Sequence, residues 1–567
     1  MLTLSLPPQQ PYSKDAFDVA PKALKRWLSD LPWAHTGRTA HLVLEALACT
    51  NRMRLSPSEH MRVLEELRGA GDFVEQGLRR HYVGHTFPLP AENQEVADLA
   101  ATLYAEFAIG YKRVAQDLSA HRSIVDRRPL ALALQRSIRY LGQQLLVSCH
   151  AYSPCAAGAW SELHQLYAYG VHHGLHRLRV RDPSYQLVTK VTAADAYKQI
   201  AMLAVADPYR LGVEELDWVF VALERWAPLV DMRPPGAQDN APGFVVDLAS
   251  DEPPGRAVPE QVGPMVRVLD TSALVALLRR QVGHTLSADA AGMPFPEVGE
   301  PPTPSSEIMI SRLVQHWEAR PERQTKRSKR GVPVEAVSSL TAIHAHLSNA
   351  TAKIETDQPP PEPPPTMLGS PRTPARANLP PSRSSMPTVH DCELLDQSSE
   401  GCKVLWPNAP GVALQVGTLV LLLSAMGTSA GGESIAGVVR WMRRARDGGL
   451  QTGVRLLASN PVPASVRRQS ESTSNAALLL PKQKLDSAVR ILVLSTHPFR
   501  PGERLLVEAP SGQIPVQLEA VDTSTTSFAQ LRLKQVPPDV DEALRSPERV
   551  AGTREVVERY NGLWEKL

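Results

Sequence analysis

Cysteine is scarce in this 567-residue chain. The five residues, Cys49, Cys149, Cys155, Cys392 and Cys402, are odd in number and form no CxxC pair. That excludes a disulfide framework and a structural zinc site of ordinary spacing. Long apolar runs are also absent. The most apolar stretch, around Val416 to Met426, is half the roughly 20 residues that a membrane span needs, so no membrane span is expected. The opening MLTLSLPPQQPYSKD has neither a basic n-region nor an apolar h-region, so no secretory signal is expected either, and the expected location is a reducing cytoplasm. Charge of one sign is missing as well. With Lys plus Arg at 61 and Asp plus Glu at 59, the net charge is +2, too little for DNA attachment by bulk electrostatics, and DNA is not an expected partner. No Walker A or dinucleotide fingerprint occurs.

What the chain does have is proline, 50 of 567 residues, against a usual share of about 5%. Hydrophobic content is an ordinary 43%, so the excess predicts folded domains joined by proline-rich segments, not a disordered chain. Residues 15–230 are expected to be an α-helical domain. Val96, Leu99, Leu103, Phe107, Tyr111, Val114 and Leu118 form one stripe at helical spacing, and Leu134, Ile138, Leu141, Leu145 and Cys149 form another. Prolines at 57, 88, 90, 129, 154, 183, 208 and 228 divide this half into helical hairpins. The segment WSELHQLY, from Trp160, echoes the start of a tetratricopeptide repeat and suggests a repeat-like domain, although no second copy stands in register. Residues 231–316 hold scattered prolines among short apolar pieces and predict a loose mixed α/β connector with one or two strands and a helix.

Residues 358–387 contain eleven prolines in thirty positions and almost no apolar side chains, so a disordered or polyproline-like segment is expected there. Beyond it the period changes to two: HDCELLD, CKVLW, VGTLVLLL, SIAGVVRWMRR and LQTGVRLLA alternate with Gly-rich turns, the pattern of a small antiparallel β-barrel. VRILVLS, RLLVEAPSG, QIPVQLEAV and SFAQLRLK predict a second β-rich unit over 480–567, closed by a helix from Pro538 to Leu567. The fold class is therefore a multidomain α+β chain: an all-α N-terminal half, a β-barrel and a smaller C-terminal β domain.

The segment Asp396-Gln-Ser398-Ser-Glu-Gly401 joins two predicted strands, and downstream stand GVVRW (from Gly437) and GVRLL (from Gly453). In this order the motifs resemble the PilZ domain, the bacterial receptor module for cyclic di-GMP, which pairs an RxxxR motif with a [DN]xSxxG motif. The resemblance covers about 317–460. Two arginine pairs are candidates. Arg372 and Arg376 stand 20 residues before Asp396, the family's usual spacing, but the ANLPPSRSSMPTVH between them and the turn has no room for a strand. Arg323 and Arg327 stand 69 residues before it, yet lead straight into VPVEAVSSLTAIHAHL, a candidate first barrel strand. Loop closure entropy grows only logarithmically with length, so the second pair is favoured, with a proline-rich insertion at about 350–388 inside a barrel spanning 317–465. Arg330 is a reserve for the second arginine.

The resemblance implies a ligand, cyclic di-GMP, and a non-enzymatic receptor whose arginine arm folds onto the barrel. Arg pairs with phosphate and with guanine O6 and N7 and stacks on bases. By the resemblance those roles fall on Arg323 and Arg327. Asp396 accepts from guanine N–H groups, Ser398 adds a hydroxyl contact, and Gly401 leaves space for the ligand. No cofactor and no metal are expected. The helical half predicts an unidentified protein partner. The alternative is a helical scaffold whose barrel no longer binds nucleotide. Gly427-Thr-Ser429-Ala-Gly431 matches GxSxG but joins strand to strand, which favours a hairpin loop over a hydrolase elbow. His164, His172, His173 and His176 have helical spacing, but no acid or thiol stands nearby, which favours packed or solvated histidines over a metal site.

Overall fold

The computed structural model describes residues 4–535 except 14, 121–126, 237–242, 257–262, 286–305, 319–327, 358–386, 408–410, 424–433, 446–447, 482–488, 495–498, 511 and 526. The chain divides into two units, residues 1–324 with 443–445, and residues 325–442 with 446–567. The expected helix from Pro538 to Leu567 lies outside the described residues.

The first unit begins with helices α1 (Pro21–Ser29), α2 (Thr36–Arg52), α3 (Pro57–Arg79), α4 (Ala91–Ala120), α5 (Arg128–His150) and α6 (Ala159–His172). A short hairpin follows, β1 (Val180–Arg181) with β2 (Lys190–Val191), and then α7 (Ala193–Val205) and α8 (Val213–Trp226). Proline opens α1, α3 and α5. Pro57 begins α3 behind a capping box of Ser56 and Glu59, and Pro129 lies in the first turn of α5, where its missing N–H costs nothing. The predicted stripes face inward: Leu103, Phe107, Tyr111 and Val114 of α4 and Leu134, Ile138 and Leu141 of α5 are buried. Tyr140 of α5 stacks on Phe107 and Tyr111 of α4 at centroid distances of 4.7 and 5.6 Å. A β-hairpin separates α6 from α7, the next helix in the chain.

That hairpin is held by buried charge. The Asp182 side chain is 0% exposed and meets Arg68 at 2.5 Å, Arg136 at 2.7 Å and Arg139 at 3.7 Å. Arg136 also pairs with Glu65 of α3 at 2.9 Å. Burial pushes the Asp182 carboxyl up, but the guanidiniums of Arg139, Arg136 and Arg68 outweigh it and hold its pKa below the usual carboxylate value. The anion thus ties α3, α5 and the hairpin together.

Residues 231–317 belong to this unit, and the described ones hold more regular structure than their composition predicts. Strands β3 (Asp231–Arg233), β4 (Phe244–Asp247), β5 (Gly255–Arg256) and β6 (Val266–Asp270) form a sheet in the order β3-β6-β4-β5, followed by α9 (Ser272–Thr285) and α10 (Ser306–Trp317). The expectation of one or two strands and one helix in a loose connector is corrected by tertiary docking. Asp251 accepts hydrogen bonds from Gly158 N at 2.6 Å and Ser161 N at 2.9 Å, so it caps α6 from far along the chain. Trp317 packs edge-on against Trp226 at 5.9 Å.

The second unit holds two closed six-stranded barrels. The first contains β7 (Ser328–Ser338), β8 (His390–Gln397), β9 (Gly401–Trp406), β10 (Leu419–Leu423), β11 (Ser434–Arg444) and β12 (Leu450–Ser459), in the order β10-β11-β12-β9-β8-β7. The second contains β13 (Val462–Arg468), β14 (Asn475–Leu480), β15 (Val489–Leu494), β16 (Arg504–Ala509), β17 (Gly512–Ser524) and β18 (Phe528–Gln535). It starts at Val462, not near 480; VPASVRR and NAALLL carry no strong turn signal and are strands only because they pair with each other and with β16 and β15.

Between β7 and β8 lies α11 (Leu340–Asp357). The segment predicted as one long strand thus ends at Ser338. Ser339 takes a left-handed φ of 76°, and its Oγ accepts from Ala342 N at the start of the helix. The predicted insertion at 350–388 begins inside this helix, and residues 358–386 lie outside the described residues. Leu340 and Ile343 of α11 join one apolar cluster with Val337, Leu419, Leu421, Ala436 and Val438 of the first barrel and Leu478, Leu480, Leu492 and Phe528 of the second. Alternate residues Ala477, Leu479, Ile491 and Val493 fill the interior of the second barrel. Strands β10, β14 and β15 are therefore buried on both faces, which is why they carry continuous apolar runs.

Replacing Asp182 with Asn should lower the stability of the first unit by about 3–5 kcal/mol, because it strands buried cations; urea unfolding followed by tryptophan fluorescence measures it. A second expectation concerns His60, buried and bonded to Asn51 Oδ1 at 3.1 Å, whose pKa burial lowers from 6.5 to about 4. A histidine depressed in the folded state contributes stability above its unfolded pKa and loses it as pH falls below 6.5. Going from pH 7.5 to 5 should therefore cost about 2 kcal/mol through this residue, and the urea midpoint should depend less on pH in His60→Gln.

Candidate ligand site on the first barrel

The polar turn between β8 and β9 is built by its own side chains. Ser398 N donates to Gly401 O at 2.8 Å, Ser398 Oγ donates to the same oxygen at 3.0 Å, and Gly401 N donates to Ser398 Oγ at 3.2 Å. The hydroxyl proton is thus engaged inside the turn, which leaves Ser398 an acceptor lone pair for any ligand, not a donor. The reason for glycine at 401 is also internal. A Cβ there would lie 2.7 Å from Val454 O of β12, so the residue admits the neighbouring backbone rather than clearing space for a ligand.

Asp396 stands one turn earlier, half-buried, at the end of β8. Its register partners are Lys329 of β7 and Lys403 of β9. Lys403 in turn faces Gly453 of β12. Directly opposed residues in antiparallel strands share a face and hold their Cβ atoms about 4.5–5.5 Å apart. Val404, Thr452, Cys402 and Val454, at the alternate positions, are buried, and Thr452 Oγ1 accepts from the buried Trp406 Nε1 at 3.0 Å. The row Lys329–Asp396–Lys403–Gly453 is therefore on the outer face. The indole of Trp441 from β11 lies over Gly453: a Cβ at 453 would fall 1.8 Å from its Nε1. One outer face thus presents two ammonium groups around a carboxylate, with an aromatic plane at one end.

Both strand pairs beside Asp396 are bulged. The register shifts between Leu394 and Asp396 on the β9 side and between Lys329 and Val332 on the β7 side, where Gly331 has a φ of 63°. Bulges of this kind re-aim side chains and recur beside binding sites. Arg330 belongs to the bulge on β7. The two arginine pairs, Arg323 with Arg327 and Arg372 with Arg376, lie outside the described residues. What the structure does bring together is Asp396, Ser398, Gly401 and the first residues of β7, Ser328 pairing with Gln397 and Lys329 with Asp396. Sequence spacing does not single out Lys329, Lys403 and Trp441 as site residues. Their convergence depends on register between strands far apart in sequence, and the sequence signals only that each sits in a strand.

The remaining motifs resolve differently. His164 is buried, with Nδ1 2.7 Å from Tyr197 Oη and Nε2 2.9 Å from Glu252 O. Among the described residues no group of His, Cys, Asp or Glu could hold a metal ion. The GxSxG residues 427–431 lie outside the described residues, and the elements on either side, β10 and β11, are an antiparallel pair. Among the described residues no helix is long and apolar enough to cross a membrane.

Three family models match in succession: "Cyclic-di-GMP receptor FimW, N-terminal domain" over residues 22–236, "Cyclic-di-GMP receptor FimW, middle PilZ domain" over 367–463, and "FimW C-terminal beta-barrel domain" over 464–536. The chain is 27% identical over 624 aligned residues to the Cyclic-di-GMP receptor FimW of Pseudomonas aeruginosa, covering 100% of this chain and 99% of that protein. It is also similar to YcgR from Escherichia coli, solved in complex with c-di-GMP, at 11% identity over 31% of this chain and 84% of that one, with a TM-score of 0.13. The chain is a PilZ-domain protein with a large N-terminal helical region and a C-terminal barrel. The middle match begins at 367, so Arg372 and Arg376 fall within it, while Arg323, Arg327 and β7 precede it.

Replacing Gly401 with Ala should destabilise the second unit by about 1–3 kcal/mol through the forced separation of β9 and β12. Thermal unfolding without any ligand measures the loss; an unchanged Tm would show that the glycine serves the ligand instead.

Proposed function

We propose that the chain is a non-enzymatic receptor that binds cyclic di-GMP on the outer face around Asp396 and passes its occupancy to a protein partner through the helical unit. The observation that carries the reading is the β7–β8 register. Ser328 pairs with Gln397 and Lys329 with Asp396, and a trans peptide holds consecutive Cα atoms about 3.8 Å apart. Ser328, the described residue that follows Arg323 and Arg327 in the sequence, therefore stands beside the Asp396–Gly401 turn. That favours this pair over Arg372 and Arg376, although the family match covers the latter.

The face has the chemistry that a cyclic dinucleotide needs. Asp396 is an acceptor for the N1–H and N2–H donors of a guanine edge, the arginines and the flanking Lys329 and Lys403 offer cations to two phosphates, and Trp441 offers a plane for stacking. The spacing agrees, since successive strands stand about 4.8 Å apart and the row spans four of them. Binding needs no metal or cofactor from the protein. Five free cysteines fit a reducing compartment, and we place the receptor in the cytoplasm.

Isothermal titration of the full chain with cyclic di-GMP tests this. Asp396→Ala and the double replacement Arg323→Ala/Arg327→Ala should each weaken binding by about tenfold to a hundredfold, the scale of a lost charge-assisted contact. Arg372→Ala/Arg376→Ala should leave it unchanged. Absence of heat with the unaltered chain sinks the receptor reading and leaves the scaffold. The reverse pattern between the two double variants moves the arm to the proline-rich segment.

A further inference from the structure

The first described residues of the chain do not trail into solvent. Residues 4–12, Leu-Ser-Leu-Pro-Pro-Gln-Gln-Pro-Tyr, run along the end of α2 and the side of α4. Their contacts are mainly to backbone. Lys112 Nζ donates to Ser5 O at 3.3 Å, Arg113 Nη2 donates to Pro7 O, and Leu4 N donates to Gln116 Oε1 at 3.4 Å. At the other end Gln10 N donates to Arg52 O at 2.6 Å, Arg54 N donates to Gln10 O at 2.9 Å, and Gln9 Nε2 donates to Met53 O at 3.0 Å.

The two sides of this contact are unequal. Beneath the segment, Lys112 is 4% exposed and Arg113 9% exposed. Lys112 has a carboxylate partner in Glu162 at 2.7 Å. Arg113 is buried with its Nε lacking any hydrogen-bond partner, and burial lowers its pKa despite the charge of Asp117. Above them no residue of the segment is fully buried: Leu4, Leu6, Pro7 and Gln9 are half-buried, and Ser5, Pro8, Gln10, Pro11 and Tyr12 are exposed. A buried guanidinium is expensive to maintain unless something it binds compensates. Here that something is a peptide carbonyl, supplied by a shallowly seated segment whose local opening costs little. Pro7, Pro8 and Pro11 keep the segment extended and carry no N–H that must be satisfied.

We propose that the α2–α4 surface around Lys112, Arg113 and Gln116 is a peptide groove, and that residues 4–12 are its displaceable occupant. The competitor it fits is an extended, proline-containing segment of a partner protein, with apolar side chains at the positions of Leu4 and Leu6 and free carbonyls at those of Ser5 and Pro7. Recognition through carbonyls and a few apolar side chains is the chemistry by which proline-rich peptides dock. The groove lies in the helical unit and is independent of the barrel site.

The test uses a fluorescein-labelled peptide of sequence LSLPPQQPY and fluorescence anisotropy. Chain lacking residues 1–12 should bind it at least about tenfold more tightly than the full chain, whose groove is filled, and Arg113→Ala in the shortened chain should weaken binding by about tenfold. Should the shortened chain fail to fold, the full chain with Leu6→Asp, which unseats the segment but leaves the groove intact, should show the same gain. A folded shortened chain or Leu6→Asp chain that does not bind, or a full chain that binds equally well, overturns the proposal. So does a full chain that is dimeric by light scattering and becomes monomeric on truncation, since the groove is then filled by a second copy.

Discussion

The pairing of β7 with β8 is the constraint on which the second unit depends. It completes the first barrel, brings Ser328 and Lys329 beside Gln397 and Asp396, and does so across residues 339–389. Closing a loop of that length costs about 2 kcal/mol more than closing a four-residue hairpin. The connection offsets this by folding back. Leu340 and Ile343 are 1% and 0% exposed, and full burial of such side chains contributes about 1.5–3 kcal/mol each. The same helix fills the space between the barrels, so the first barrel closes and the second docks through one apolar cluster. A long insertion in the first hairpin is thus tolerated because its first part is structural.

In the helical unit the corresponding organiser is charge. A carboxylate at Asp182 surrounded by Arg68, Arg136 and Arg139 is an arrangement that burial would oppose for any member alone. Held together, the charges fix the register of α3 against α5 and pin the hairpin that interrupts the helices. The aromatic stack of Phe107, Tyr111 and Tyr140 lies beside it, and Tyr140 and Tyr111 hydrogen-bond into the network through Arg68 and Glu65 at 3.1 and 2.7 Å. Apolar packing supplies the bulk of the burial, while the polar network selects one helix arrangement among many of similar area.

On the barrel face the logic differs, because the charged groups there are at the surface. Lys329 and Lys403 flank Asp396 by register and not by burial, so the row keeps its cations accessible while the carboxylate sits between them. The turn beside it is closed by the Ser398 hydroxyl and by the absence of a Cβ at 401. Two residues of the motif, Ser398 and Gly401, therefore serve the scaffold directly.

Much of this was legible in the sequence. The helical period of α4 and α5, the change to a period of two after the proline-rich block, and the Asp-Ser-Gly chemistry of the β8–β9 turn are local properties, set by each element's own pattern of burial and backbone demand. The sequence by itself thus determined the α+β division, the barrel and the PilZ resemblance. Only the tertiary structure decided the rest. It made VPASVRR and NAALLL strands of the second barrel, ended β7 at Ser338, built 231–317 into the helical unit, and set Lys329, Lys403 and Trp441 around Asp396. Each of those outcomes depends on register or packing between segments far apart along the chain, and no local period records which strand will lie beside which.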